Sequence, residues 1–399
     1  MVKINANYAG AKKNYLFIEI AKGINDFRAA NPDKKLISLS IGNTTLPLTP
    51  TIVKGLEKGV ANLTDEKTYT GYGDEQGNSD LRAALADWYK KRNIRIEASE
   101  IFISDGAKPD TANIQSIFAT DSVVAIQDPS YPVYVETSMI AGRRIVAMPC
   151  TPENGFVPEL PKEDVDLIYI CSPNNPTGAV LTKDTLKKFV DYANENGSII
   201  IFDPAYFAYI KDPNFPKSIY EIPGAKTCAI EVNSFSKWAG FTGVRLGWTV
   251  VPFSLKGDGV AEGQINAVWK RRQTTMFNGA SNIAQSGGIA ALTQQGQKES
   301  QTLVDYYMEN AKIIEDGLKK IGYEVYGGEN APYLWVKTPG NIKSWDFFNT
   351  LLNEVNIVVT PGVGFGPSGE GFVRISAFGN REDAKEAVRR IEGLKIMSQ

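Results

Sequence analysis

No histidine occurs anywhere in the 399 residues of this chain. Ser-His-Asp and Cys-His nucleophilic machinery is thereby excluded, as is any zinc site built on imidazole. Proton transfer must fall to Lys, Tyr, Asp, Glu or Cys, or to a bound cofactor. Cysteine is almost as scarce. Cys150, Cys171 and Cys228 are odd in number and far apart, which argues against a disulfide framework, and each lies in or at the end of an apolar run, as a buried thiol does. No stretch approaches the roughly 20 consecutive apolar residues that a membrane crossing needs. The run Tyr15-Leu16-Phe17-Ile18 is too short for a secretory signal and meets Glu19 at once, so a cytoplasmic location is expected. A formal net charge of only −2 gives no general electrostatic reason to bind nucleic acid or an anionic membrane. The one basic run, Lys270-Arg271-Arg272, reads as a solvated helix face.

What is present points to a two-domain α/β protein, since the chain exceeds the roughly 250–300 residues that one core supports. Short apolar runs recur at 101–104, 122–127, 144–149, 167–171, 198–202, 227–232 and 246–251. Several are β-branched and continuous, as in strands buried on both faces. Amphipathic segments lie between them. The clearest starts at a Thr182 N-cap, places Leu186, Phe189, Val190 and Ala193 on one face, and stops at Gly197. Such alternation predicts a largely parallel sheet between helices, with ligands bound beyond the carboxyl ends of the strands. After Pro252 a long helical stripe runs from Leu303 to Leu318. Short strands at 333–337, 357–360 and 372–376 and a charged helix from Arg381 follow, predicting a smaller α+β domain.

The unusual residues cluster at the predicted strand ends. The strand Ile199–Phe202 runs into Asp203-Pro204-Ala205-Tyr206, and the next ends at Ser234-Phe235-Ser236-Lys237, with Arg245 just before another strand. A pyridoxal 5′-phosphate (PLP) ring needs this set: an amine for its Schiff base, a carboxylate that keeps the ring nitrogen protonated, a phenol or amide on the ring hydroxyl, and hydroxyls with a cation for the phosphate. Upstream, Ser104-Asp105-Gly106-Ala107-Lys108 joins a strand to a helix, so its backbone N–H groups suit a phosphate. Tyr131 follows the next strand, placed to stack on a planar ring. Ser172–Gly178 ends another strand in an amide-rich turn. The formal G-x-G-x-x-G at Gly364–Gly369 lies between two strands and opens no helix, so it does not predict dinucleotide binding.

Tyr69–Gly73, Ser172–Gly178, Asp203-x-x-Tyr206 and Ser234–Lys237 before Arg245 resemble the class I/II aminotransferases of PLP fold type I. A narrower set is similar to the LL-diaminopimelate aminotransferase branch: Lys13–Phe17, Ser40-Ile41-Gly42, Ser104–Lys108, Gln127–Pro132, Arg271–Thr275, Phe277-Asn278-Gly279 and Ala331–Trp335. The resemblance implies an N-terminal arm and part of the small domain over 1–47, a PLP-binding domain with a seven-stranded sheet over 48–295, and the rest of the small domain over 296–399. It implies that Lys237 holds the cofactor and then shuttles the substrate Cα proton. Asp203 would pair with the ring nitrogen, Asn175 and Tyr206 with the ring hydroxyl, and Tyr131 would stack on the ring. Ala107, Lys108, Ser234, Ser236 and Arg245 would hold the phosphate. Tyr72 and Asn278 would come from the second subunit of a homodimer. Arg374 would clamp the substrate α-carboxylate beside Tyr131 and Asn175, with Tyr15, Gly42, Lys108 and Asn278 gripping the far end. Three positions depart from that branch's usual residues: Asn43 for Asp, Met276 for Lys and Asn330 for His. The implied reaction is amino transfer between LL-2,6-diaminopimelate and 2-oxoglutarate in lysine and peptidoglycan precursor synthesis. A fold-type-I aminotransferase for another amino acid, such as aspartate or an aromatic one, or a PLP lyase, stays open.

Overall fold

The computed structural model describes residues 1–10, 16–257 and 259–394. Its strands in chain order are β1 (Ile37–Ser38), β2 (Ile101–Ser104), β3 (Val124–Asp128), β4 (Ile145–Pro149), β5 (Leu167–Cys171), β6 (Ile199–Asp203), β7 (Ala229–Ser234), β8 (Gly247–Val250), β9 (Val325–Gly327), β10 (Tyr333–Lys337), β11 (Ile357–Val358), β12 (Thr360–Pro361) and β13 (Phe372–Ser376). Seven of these form one sheet in the order β2-β8-β7-β6-β5-β3-β4. The strands β4, β3, β5, β6 and β7 pair in parallel. β8 runs antiparallel to both of its neighbours.

The continuous apolar runs became strands because both faces of this sheet are covered. Side chains alternate across a strand, so β5 sends Ile168 and Ile170 into one core and Leu167, Tyr169 and Cys171 into another. The first core receives Leu186, Phe189 and Val190 of the helix Lys183–Asn196, and the second receives Tyr134 and Trp269. The Thr182 hydroxyl caps that helix by accepting from Thr185 N–H at 3.1 Å, and Gly197 ends it in the left-handed conformation. The three cysteines are buried free thiols.

The second unit is an antiparallel sheet, β12-β13-β10-β9, covered by the helices Gln294–Lys320, Ser344–Val355 and Arg381–Glu392. The single strand expected over 357–360 is divided. Ile357 and Val358 pair with Ile37 and Ser38, while Thr360 and Pro361 pair with Arg374 and Val373. Val359 carries the chain from one sheet to the other, and Pro361, lacking an N–H, ends the ladder. The β1·β11 pair holds the N-terminal segment in this unit. The Tyr307 hydroxyl then accepts from the N–H groups of Thr45 and Leu46, both at 2.8 Å, fixing that segment across the carboxyl edge of the large sheet. No described helix is long and apolar enough to cross a membrane.

Phe189 is 1% exposed, so Phe189→Ala should cost about 3–5 kcal/mol through the cavity it leaves, whereas Thr182→Ala should cost only about 1 kcal/mol through the lost cap. Urea unfolding of the two variants checks the ranking; equal costs would contradict the account of this helix.

Candidate active site

Sheet register brings the candidate residues to one edge. Cys171 pairs with Asp203 at the carboxyl ends of β5 and β6, and β7, parallel to β6, ends at Ser234 on the same side. Because β8 is reversed, its first residue rather than its last reaches that edge: Gly247 pairs with both Ser234 and Ser104. Arg245, two residues earlier, and the Gly106 loop, two residues after Ser104, are thereby placed side by side. Gly106 has φ +130°, and a Cβ there would stand 2.5 Å from Arg245 Nη2, so only glycine fits. Arg245 itself sits at φ +68°, a conformation non-glycine residues rarely adopt and one that collects at functional sites.

These elements line a cavity of about 550 Å3 whose walls include Gly42, Ala107, Lys108, Tyr131, Asn175, Asp203, Tyr206, Ser234, Ser236, Lys237, Arg245 and Arg374. Ala107 and Lys108 begin the helix Ala107–Asn113, where the first N–H groups have no intrahelical acceptor. Ser234 and Ser236 are buried, with Ser236 N–H donating to Ser234 Oγ at 3.0 Å. Asp203 is buried, and burial lifts its carboxyl to about 6 against the lowering effect of two donors: the Tyr134 hydroxyl, at 2.7 Å from Oδ2, and Ala205 N–H, at 3.1 Å from Oδ1. Burial acts oppositely on the Lys237 amine. With Arg374 and Arg245 nearby it brings that amine down to about 7, despite the pull of Asp203. The amine donates to the Gly42 carbonyl.

On the opposite wall Arg374, 1% exposed, is held by the Ser40 carbonyl and by Asn175 Oδ1, the latter at 2.6 Å. Its guanidinium lies over the rings of Tyr333 and Phe365, with centroids at 4.4 and 4.8 Å. Its Nε–H is buried and has no partner among the described residues. Tyr333 shares a 2.8 Å hydrogen bond with the Tyr206 hydroxyl, and its own hydroxyl lies where a Gly42 side chain would stand.

Twelve of the fifteen expected site residues therefore meet at this cavity. Two do not line it: Tyr72 is 88% exposed and Asn278 is exposed, as residues contributed to another subunit's site would be. Tyr15 lies outside the described residues. Several wall residues were not singled out as site residues: Tyr134, Tyr333, Phe17, Thr242 and Phe378. Tyr134 had one legible signal, its place three residues after Tyr131 on the same helical turn. Tyr333 sits in the Ala331–Trp335 segment, at the start of a strand paired with that of Arg374.

Residues 34–391 match the model of the family described as aminotransferase class I and II. The chain belongs to that family, whose members depend on pyridoxal phosphate. It is 51% identical to the LL-diaminopimelate aminotransferase of Lachnospira eligens over 99% of this chain and 100% of that one. Among solved structures it is similar to the L,L-diaminopimelate aminotransferase of Chlamydomonas reinhardtii, with a TM-score of 0.93 and 50% identity over 98% of each chain. Substrate-bound BacF of Bacillus subtilis follows at a TM-score of 0.87 and 27% identity, over 99% of this chain and 98% of that one.

The cavity fits that cofactor. A buried carboxylate, an amine tuned to neutrality, two buried hydroxyls, an arginine and a helix start converge on it, and the collision at Gly106 shows a backbone packed against Arg245 with no room for a side chain. In cofactor-free protein the Lys237 amine should acetylate with half-maximal rate near pH 7, whereas an ordinary lysine requires a pH near about 10.4. Peptide-resolved trace labelling with acetic anhydride measures this; a midpoint above pH 9 would refute the electrostatic account.

Proposed function

We propose that this chain is a cytoplasmic homodimeric aminotransferase that interconverts LL-2,6-diaminopimelate and 2-oxoglutarate with tetrahydrodipicolinate and glutamate, in lysine and peptidoglycan precursor synthesis. The observation that carries the substrate is the 51% identity to a curated LL-diaminopimelate aminotransferase along the whole chain. The observation that carries the chemistry is the placement of Lys237, Asp203 and Arg374 on the walls of one cavity. In this reading residues 48–295 form the cofactor-binding domain, and 1–47 with 296–399 form the smaller one.

When bound, pyridoxal phosphate supplies an electron sink that lets an amino acid lose its Cα proton and hand over its nitrogen. Lys237 holds the cofactor and, once released, accepts and returns that proton, a task suited to an amine near neutrality. Asp203 as carboxylate keeps a proton on the ring nitrogen. Asn175 and Tyr206 would hold the ring hydroxyl, Tyr131 would pack on the ring, and Ala107, Lys108, Ser234, Ser236 and Arg245 would hold the phosphate. Arg374 holds the substrate α-carboxylate; Asn175 on one terminal nitrogen and the rings of Tyr333 and Phe365 against the guanidinium restrain its plane before substrate arrives. The far carboxylate and amine of a long diamino diacid would meet Gly42 and Lys108, with Tyr15 and with Asn278 supplied across the dimer; Tyr72, also from the partner, would contact the cofactor. One site then serves both half-reactions, because each substrate carries an α-carboxylate for Arg374. The keto product cyclises with loss of water.

Lys237→Ala should lose turnover and the visible absorbance of the bound cofactor, and a variant that kept both would refute the role. With wild-type holoenzyme, LL-diaminopimelate and glutamate should each bleach that absorbance, while aspartate and phenylalanine leave it unchanged. Bleaching by aspartate at the same concentration would move the assignment to another amino acid. Arg374→Lys should lower kcat/KM roughly 10²-fold, since an ammonium cannot reproduce the planar two-point grip.

A further inference from the structure

Burial in this cavity works against the charged form of the Asp203 carboxylate, and the way that group is held has a specific geometry. Among the described residues it accepts from two donors, Ala205 N–H at 3.1 Å and the Tyr134 hydroxyl at 2.7 Å. The tyrosine is the shorter bond and the only side chain of the two. Its ring is 1% exposed, stacked on Tyr169 at 5.0 Å and set edge-on to Tyr131 at 5.7 Å. Tyr169 is itself anchored, its hydroxyl donating to the Thr111 carbonyl at 2.6 Å. The phenol thus has no freedom to turn away. It stands on the first turn of the helix Pro132–Ile140, next to the Tyr131 that faces the cavity.

We propose that Tyr134 is a positioning residue for the transamination, its phenolic O–H keeping Asp203 charged and aimed at the ring nitrogen of the cofactor; this rests on the reading of the site given above. Asp203 Oδ1 is engaged by the backbone of its own loop, so the direction of the carboxylate plane is set by what holds Oδ2. The groups facing Asp203 are Tyr134 from the helix, Cys171 from the adjacent strand and Lys237 from the following loop. Burial pushes the Cys171 thiol well above its ordinary value, so it carries no charge near neutrality. Lys237 loses its charge near neutrality, so it cannot hold the carboxylate ionised across that range. Tyr134 can, because burial lifts its own ionisation far above that of an ordinary phenol and it remains a neutral donor throughout. A structural role alone, filling space beside Tyr169, would need the ring but not the hydroxyl.

The test is the affinity of cofactor-free full-length protein for pyridoxamine 5′-phosphate, which lacks the aldehyde and so reports ring contacts without the bond to Lys237. Calorimetric titrations from pH 6 to 9 compare wild type, Tyr134→Phe and Tyr169→Phe. Removing the hydroxyl raises the Asp203 pKa, so the protonated, non-pairing fraction grows as pH falls. The ratio of dissociation constants, Tyr134→Phe over wild type, should be small at pH 9 and climb to roughly tenfold or more at pH 6. Tyr169→Phe, which removes a buried phenol from the same stack without touching Asp203, should give a ratio flat with pH. A flat ratio for Tyr134→Phe, or the same climb in Tyr169→Phe, overturns the role of Tyr134 while leaving the cofactor site intact. Failure of the wild-type protein to bind the probe overturns the reading of the site and this inference with it.

Discussion

The pairing of Gly247 with both Ser104 and Ser234 is the contact on which the rest of the site depends. A Cβ at Gly247 would stand 2.8 Å from the Asn233 carbonyl and from Gly106 Cα, so three backbones meet there with no side chain between them. Reversing β8 alone within a parallel sheet turns Arg245 to the edge where β5, β6 and β7 end. Had β8 run parallel, Arg245 would lie at the opposite edge, away from Ser234, Ser236 and Lys237. The unusual φ of Arg245 is the local consequence. A conformation costing on the order of 1–3 kcal/mol persists because the surrounding sheet determines it.

Given that frame, the electrostatics follow from burial acting on groups of opposite sign. Burial disfavours whichever form is charged, so the Asp203 carboxyl rises to about 6 and the Lys237 amine falls to about 7 in the same cavity. The two arginines add to the fall at Lys237. The result is an amine able to take a proton near neutrality, beside a carboxylate that needs outside donors to stay ionised. Acid and base roles are divided by environment, since the composition offers no imidazole to serve as either.

Much of this was legible in the sequence because the informative residues sit at strand ends. Asp203, Lys237 and Arg245 flank continuous apolar runs, and such runs mark buried strands regardless of neighbours. The helix from Thr182 to Gly197 was readable for the same reason, with cap, stripe and stop in one segment. Strand direction was not readable, because the apolar pattern of β8 is the same run either way. The division of 357–361 between two sheets was also hidden, since it depends on Ile37 and Ser38, more than three hundred residues away. Tyr134 and Tyr333 were missed for a related reason: a tyrosine in an apolar stretch is ordinary core until its hydroxyl partner is known. For Asn175, the sequence pointed to a ring-facing amide; the structure adds its grip on Arg374.

The walls of this cavity carry phenols and no imidazole, and that has a physical consequence. An imidazole beside Asp203 would change its own charge near pH 6.5, so the field at the carboxylate would shift within the range where the enzyme works. The buried phenol of Tyr134 donates one hydrogen bond and stays neutral over that whole range. The same holds for Tyr206 and Tyr333, which share a hydrogen bond and whose ionisations burial also raises. Neutral donors cannot relay charge, but they do not disturb it. Asp203 and Lys237 thus ionise near neutrality among phenols that stay neutral there.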